Sequence, residues 1–208
     1  MHDLPILPDP SNPALTRPVR AVDQQGEARE IRVVEERPLT LYLNAQEVVT
    51  SMTIGDYPTY LAVGYLANQG MLLAEDVITA VDYDAEVAAV VVRTERATDY
   101  EYKLKRKTRT SGCAVGTVFG DMMEGLDQVT LPDTPVRTSD LYALAHQLNT
   151  APSLYLEAGA IHGTVLCQGD KPLVFMEDVG RHNAVDKIAG WMRLEGVSGG
   201  DKILYTTG

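Results

Sequence analysis

Two cysteines, four histidines and an uneven spread of cations bound the chemistry open to this chain. Cys113 lies in Thr110-Ser111-Gly112-Cys113-Ala114-Val115-Gly116, just after Lys103, Lys105, Arg106, Lys107 and Arg109. Five of the 18 basic residues therefore fall in seven positions beside a thiol, although the formal net charge is -11. A cysteine reacts as the thiolate, and nearby cations or a helix N-terminus stabilise that anion. The placement reads as a reactive thiol in a locally positive setting. The alternative is a small buried thiol beside a solvated basic strand. Cys167, between Leu166 and Gln168 in an apolar run, reads as a buried structural thiol.

A second constellation is Glu177-Asp178-Val179-Gly180-Arg181-His182-Asn183-Ala184-Val185-Asp186-Lys187. Its polar residues crowd a strand-to-helix junction, with Val179-Gly180 as the tight turn. Arg181, His182 and Asn183 would present donors at a helix N-terminus, which suits a phosphate or another anion. The competing reading is a capped helix start, with Asp178 as the cap and Asp186 and Lys187 facing solvent. His162, in Gly159-Ala160-Ile161-His162-Gly163, is either close to a ligand or a surface histidine at a bend. No Cys-x-x-Cys is present, and no His-x-Glu precedes a cysteine pair, so no metal site is expected. The Gly-Lys-Ser/Thr of a phosphate-binding loop and a Gly-x-Ser-x-Gly elbow are also missing.

These residues need elements to hold them. Residues 1–18 carry five prolines and read as an extended or disordered tail. Ile31–Val34, Leu39–Leu43 and Val48–Met52 read as strands. A helix enters at Asp56 and Pro58, with Leu61, Tyr65 and Asn68 on one face and Gly70 as its stop. Val77–Tyr83 and Val87–Thr94 form a strand pair, and Tyr100–Leu104 continues the sheet. A helix from Cys113 to about Gly125 would put the thiol at its positive end. Leu131–Val136 is a connector. Ser139 caps a helix through Leu141, Leu144, Ala145 and Leu148. Ala160–Cys167 and Leu173–Glu177 make a hairpin around Gly169-Asp170. Arg181–Glu195 is a helix with Val185, Ile188, Ala189 and Met192 inward, and Lys202–Tyr205 starts another strand.

The bulk numbers allow one domain, or one with a smaller lobe. A pI of about 4.7 argues against a general nucleic-acid partner. No apolar run approaches the roughly 18 residues of a membrane helix, no basic-then-apolar leader is seen, and two cysteines suit a reducing cytoplasm.

The Glu177–Lys187 motif resembles the signature of the formate dehydrogenase accessory sulfurtransferases, the FdhD family. Glu36-Arg37-Pro38-Leu39-Thr40-Leu41 resembles the family's early strand. Ile54-Gly55-Asp56 with Leu61-Ala62-Val63-Gly64-Tyr65-Leu66 resembles its first helix. Gly159-Ala160-Ile161-His162 resembles its glycine-glycine-x-histidine segment, with Ala160 for the second glycine. The likeness spans roughly residues 30–208.

The resemblance implies an α/β fold: a cytidine-deaminase-like mixed sheet packed with helices, with a smaller N-terminal β-rich lobe. It implies a tail over 1–18, an N-terminal lobe over 19–136 with Cys113 on a mobile loop, and an αβ portion over 137–208. Family members continue past the equivalent of Thr206-Thr207-Gly208. The implied activity is sulfur transfer through a cysteine persulfide on Cys113. A cysteine desulfurase supplies the sulfur. The receiver is the bis-guanine-dinucleotide molybdenum cofactor, before its insertion into formate dehydrogenase. His162, Arg181, His182 and Asn183 would line the cavity for that cofactor or a GDP-like ligand. The implied protein is a cytoplasmic homodimer without a metal of its own. The family's loop carries Cys-x-x-Cys, whereas here Gly116 stands for the second cysteine. One sulfur suffices for a persulfide. The other class of reading is a non-enzymatic chaperone that binds the molybdenum cofactor or a guanine nucleotide.

Overall fold

A computed structural model describes residues 7–96, 107–109, 117–119 and 130–207. Among the described residues fifteen elements follow one another in a mixed α/β arrangement. Strands β1 (Thr16–Val22) and β2 (Ala28–Val34) pair as an antiparallel ribbon. The tail expected over 1–18 is ordered where described, because Leu15 is buried against Ile54, Leu154 and Ile161, and Thr16 opens β1.

A four-stranded sheet runs in the order β4-β3-β6-β5. It contains β3 (Arg37–Leu43), β4 (Gln46–Thr53), β5 (Ile78–Asp84) and β6 (Ala89–Thr94). The β3–β4 turn has Asn44 at φ 55°, a conformation that asparagine tolerates. Its amide oxygen accepts from Thr94 N at 2.9 Å, tying the turn to β6. Strands β3 and β6 are parallel, and α1 (Pro58–Asn68) lies in the chain between them. Leu39, Leu41, Leu43, Val90 and Val92 pack against Leu61, Ala62 and Leu66 of α1. Full burial of each such aliphatic chain contributes about 1.5–3 kcal/mol.

The second sheet has the order β10-β9-β11, from β9 (His162–Gln168), β10 (Lys171–Asp178) and β11 (Ile203–Thr206). Its period of two serves two helices. Leu166, Val174 and Met176 face α4 (Arg181–Leu194), meeting Ile188 and Trp191. Val165, Cys167 and Phe175 face the other way, onto Leu144 and Leu148 of α2 (Thr138–Thr150). The short α3 (Leu154–Ala158) follows, and Ser153 caps it by accepting from Leu156 N at 3.3 Å. Helix α2 begins one residue ahead of Ser139, whose hydroxyl donates to Asp140 instead of capping. On α4 the buried residues are Ala184, Asp186, Lys187, Ile188, Gly190 and Trp191; of the expected stripe Ile188 is among them and Met192 packs alongside, whereas Val185 and Ala189 are only partly buried.

The remaining pair, β7 (Lys107–Arg109) and β8 (Thr117–Phe119), corrects the helix expected after Cys113. Thr117, Val118 and Phe119 are β-branched or aromatic and sit between Gly116 and Gly120, a composition that favours strand over helix. The helical end expected to hold the thiolate is therefore not formed at those residues. Tyr100–Leu104 and Cys113 itself lie outside the described residues.

Helices α1 and α4 join the two sheets back to back. Gly64 and Gly190 face each other where they cross. A Cβ on Gly64 would lie 1.7 Å from the carbonyl oxygen of Asp186, and one on Gly190 would lie 1.8 Å from that of Tyr60. Both obstacles are backbone, so the helices cannot give way locally. Gly64→Ala is expected to cost about 3 kcal/mol, read as a lower urea midpoint at unchanged slope. A loss under about 1 kcal/mol would contradict this packing.

Candidate functional site

The polar motif divides between the interior and the surface. Glu177 and Asp178 end β10, and both are fully buried. The Glu177 carboxylate accepts from Leu154 N at 2.8 Å and Tyr155 N at 3.1 Å, two donors in the first turn of α3. Asp178 accepts from Thr53 Oγ1 at 2.5 Å, Asn183 Nδ2 at 3.1 Å and Gly180 N at 3.3 Å. The last of these closes the turn before the helix; Gly180 is the N-cap and no side chain caps the helix, so Asp178 is not the cap expected of it.

Lys187 lies one turn beyond Asn183 and is fully buried. Its ammonium bonds Asp56, meets Asp178 Oδ2 at 2.7 Å and donates to the Glu177 carbonyl at 3.0 Å. Burial works against its charge, but Asp56 and Asp178 outweigh that and hold the lysine above its ordinary range. Asp186 is buried too, and accepts from Asn68 Nδ2 of α1 at 2.7 Å. The solvent-facing Asp186 and Lys187 of the capped-helix reading are thus both inside. Ala184, Lys187, Ile188 and Trp191 repeat at i, i+3, i+4 and i+7, so helical spacing alone marks Lys187 as inward. Its partner Asp56 is far off in the chain and carries no local signal.

Arg181 and His182 remain exposed on the first turn of α4. Asn183, expected beside them as a ligand residue, spends its amide on the protein. Its Nδ2 donates to Met52 O at 2.8 Å and to Asp178, and its Oδ1 accepts from Ser51 Oγ at 3.2 Å. It fixes the start of α4 to the edge strand β4.

His162 starts β9 directly opposite Asp178. It lines a cavity of about 380 Å³ with Tyr155, Leu156, Phe175, Glu177 and Tyr205. The cavity lining includes none of Arg181, His182 and Asn183. The structure therefore places His162 in the cavity lining and Arg181 and His182 outside it, three and four residues along the chain from the strand position facing His162. Before the cavity, Gly159 and Ala160 both have positive φ, 64° and 51°. Ala160 thus holds a backbone shape that glycine adopts freely, which explains why a glycine suits that position.

Cys167 is buried in the centre of the second sheet, and burial pushes its thiol up to about 11. It is free and structural, as its apolar run implies. Among the described residues, no helix is long and apolar enough to cross a membrane.

Lys187→Met would strand two carboxylates in the interior. Loss of about 3–5 kcal/mol is expected by chemical denaturation. Adding Asp56→Asn in the same chain should recover part of that loss; strict additivity of the two losses would refute the pairing.

Comparisons with known proteins bear on this arrangement. The model of the FdhD/NarQ family matches residues 34–208. A protein named sulfur carrier protein FdhD from Bacillus pumilus is 29% identical over 184 residues, covering 85% of this chain and 68% of the relative. One of the same name from Wolinella succinogenes is 30% identical over 196 residues, covering 91% of this chain and 67% of the relative. A crystal structure described as a candidate formate dehydrogenase accessory protein from Desulfotalea psychrophila superposes with a TM-score of 0.67. It is 20% identical and covers 93% of this chain and 72% of its own, so it supports the fold alone.

Proposed function

Because this chain belongs to the FdhD/NarQ family, we propose that it is a sulfur carrier serving formate dehydrogenase maturation, with Cys113 as the sulfur-bearing residue. The carrying observation is the contrast between its two cysteines. Cys167 is buried in β9 with its thiol pushed up to about 11, so it is a poor nucleophile at neutral pH. Cys113 follows a dense run of cations and falls in the chain between the paired strands β7 and β8.

The chemistry asked of Cys113 is modest. Its thiolate attacks the terminal sulfur of a cysteine desulfurase persulfide, a new S–S bond forms, and the desulfurase thiolate leaves. Cys113 then bears the persulfide; on transfer its S–S bond breaks, Cys113 leaves as a thiolate, and the outer sulfur reaches the substrate, the bis-guanine-dinucleotide molybdenum cofactor, as sulfide by taking two electrons from the metal of that substrate. Lys107 and Arg109 would favour the attacking anion. Gly116 in place of a second loop cysteine leaves no resolving thiol nearby, so the route uses one sulfur at a time. By the family likeness, the protein works as a cytoplasmic homodimer.

For the phosphorylated client, Arg181 and His182 offer donors at the start of α4, where backbone N–H groups also favour an anion. Asn183 positions them, and His162 lines the adjoining cavity. Arg181→Ala is therefore expected to weaken binding of GDP, used as a probe, about tenfold by calorimetry. Unchanged affinity would remove Arg181 from the site.

The central test is mass spectrometry after incubation with a cysteine desulfurase and cysteine. Cys113 should gain about 32 Da, one sulfur atom, and Cys113→Ala should gain nothing and fail to support formate dehydrogenase maturation. GDP binding without an adduct, together with normal maturation by Cys113→Ala, would replace the carrier with a chaperone.

A further inference from the structure

We propose that Asp186 is a proton-dependent latch on the seam between α1 and α4: protonated, it lets the two lobes close firmly, and ionised, it weakens that closure. Among the described residues the seam holds four carboxylates and one ammonium. They are Asp56 before α1, Glu177 and Asp178 at the end of β10, and Asp186 on α4, with Lys187 beside it. Helix α1 contributes the neutral Asn68.

The three carboxylates other than Asp186 each meet a cation or more than one donor, although one Asp56 oxygen is buried without a hydrogen-bond partner and burial holds both Asp56 and Glu177 above the usual carboxylate range. Asp56 and Asp178 share Lys187, and Asp178 takes further donors from Thr53 and Asn183. Glu177 takes two backbone N–H groups. Asp186 takes one amide bond from Asn68, and among the described residues no cation lies within ion-pair distance of it. A buried carboxylate without a cation is the member that most gains by holding a proton.

Position turns that proton into a latch. The Asp186 carbonyl is the atom that a Cβ on Gly64 would strike, so its backbone presses on α1 at the closest approach of the lobes. Its side chain bridges to α1 in the same turn. Charge appearing there is desolvated where the seam leaves least room for water.

Burial, together with Asp178 and against the Asn68 bond, pushes the Asp186 carboxyl up to about 7. An unfolded aspartate ionises near about 4. The closed seam therefore keeps its proton through a range in which the opened chain has lost it. The Asp186 contribution to that stability is greatest below about pH 4, declines as pH rises towards about 7, and levels off above.

The test uses the full chain. Carboxyl carbon NMR should show Asp186 titrating near about 7, and amide-exchange protection of α1 and α4, corrected for intrinsic exchange, should fall at least about tenfold between roughly pH 5 and 7.5. Asp186→Asn should hold that protection level across the range. Asp186 already ionised at about pH 5, or the same fall in Asp186→Asn, would overturn the latch. If Asp186→Asn does not fold, the carbon titration and the exchange profile of the unsubstituted protein decide it. None of these readouts depends on sulfur transfer, so failure of the carrier reading would leave them intact.

Discussion

A single buried ammonium organises this molecule. Lys187 reaches from α4 to Asp56 ahead of α1 and to Asp178 at the end of β10, so one side chain ties three elements from two sheets. A charge in that position is tolerable only while both carboxylates meet it, because bringing any one of them out of water alone is costly. The pairing therefore specifies more than it stabilises. It dictates how far α4 is rotated, and with it which residues of the first turn look outward. Arg181 and His182 are exposed because Ala184, Lys187, Ile188 and Trp191 are not.

The same constraint explains the division within the Glu177–Lys187 motif. Its acidic residues and its lysine face inward, Asn183 locks the helix start to β4, and only Arg181 and His182 keep free access to solvent. Most of the motif's polar side chains are thus spent on the protein itself, and Arg181 and His182 are the two left exposed. The cavity takes Glu177, the first residue of the motif, into its lining together with His162 at the start of β9, and the same Glu177 steadies the first turn of α3.

Much of the architecture was legible from local pattern. Strands β2 to β6, the β9–β10 hairpin and helices α1, α2 and α4 follow from alternation, helical spacing and turn residues. Family membership was legible as well, from the Glu177–Lys187 motif. What escaped was long-range or composition-limited. The ribbon strand β1 was hidden by the prolines around it, and its order comes from Leu15 docking on Ile54, Leu154 and Ile161. The helix expected after Cys113 rested on an apolar stripe that Gly116 and Gly120 interrupt, and the β-branched residues between them pair as β8 instead. The inward stripe of α4 was read only in part, with Ile188 and Met192 found and Lys187 missed, because a lysine was assumed to seek water. Nothing near Lys187 in the chain announces Asp56.

The meeting of Gly64 and Gly190 has a mechanical corollary. Two helices touching main chain to main chain have no cushion of side chains to slide on. Translation along either axis would drive a carbonyl into the facing glycine. Rotation about the contact meets no such obstacle. The crossing is thus a pivot, and relative movement of the two halves is confined to a swing around it.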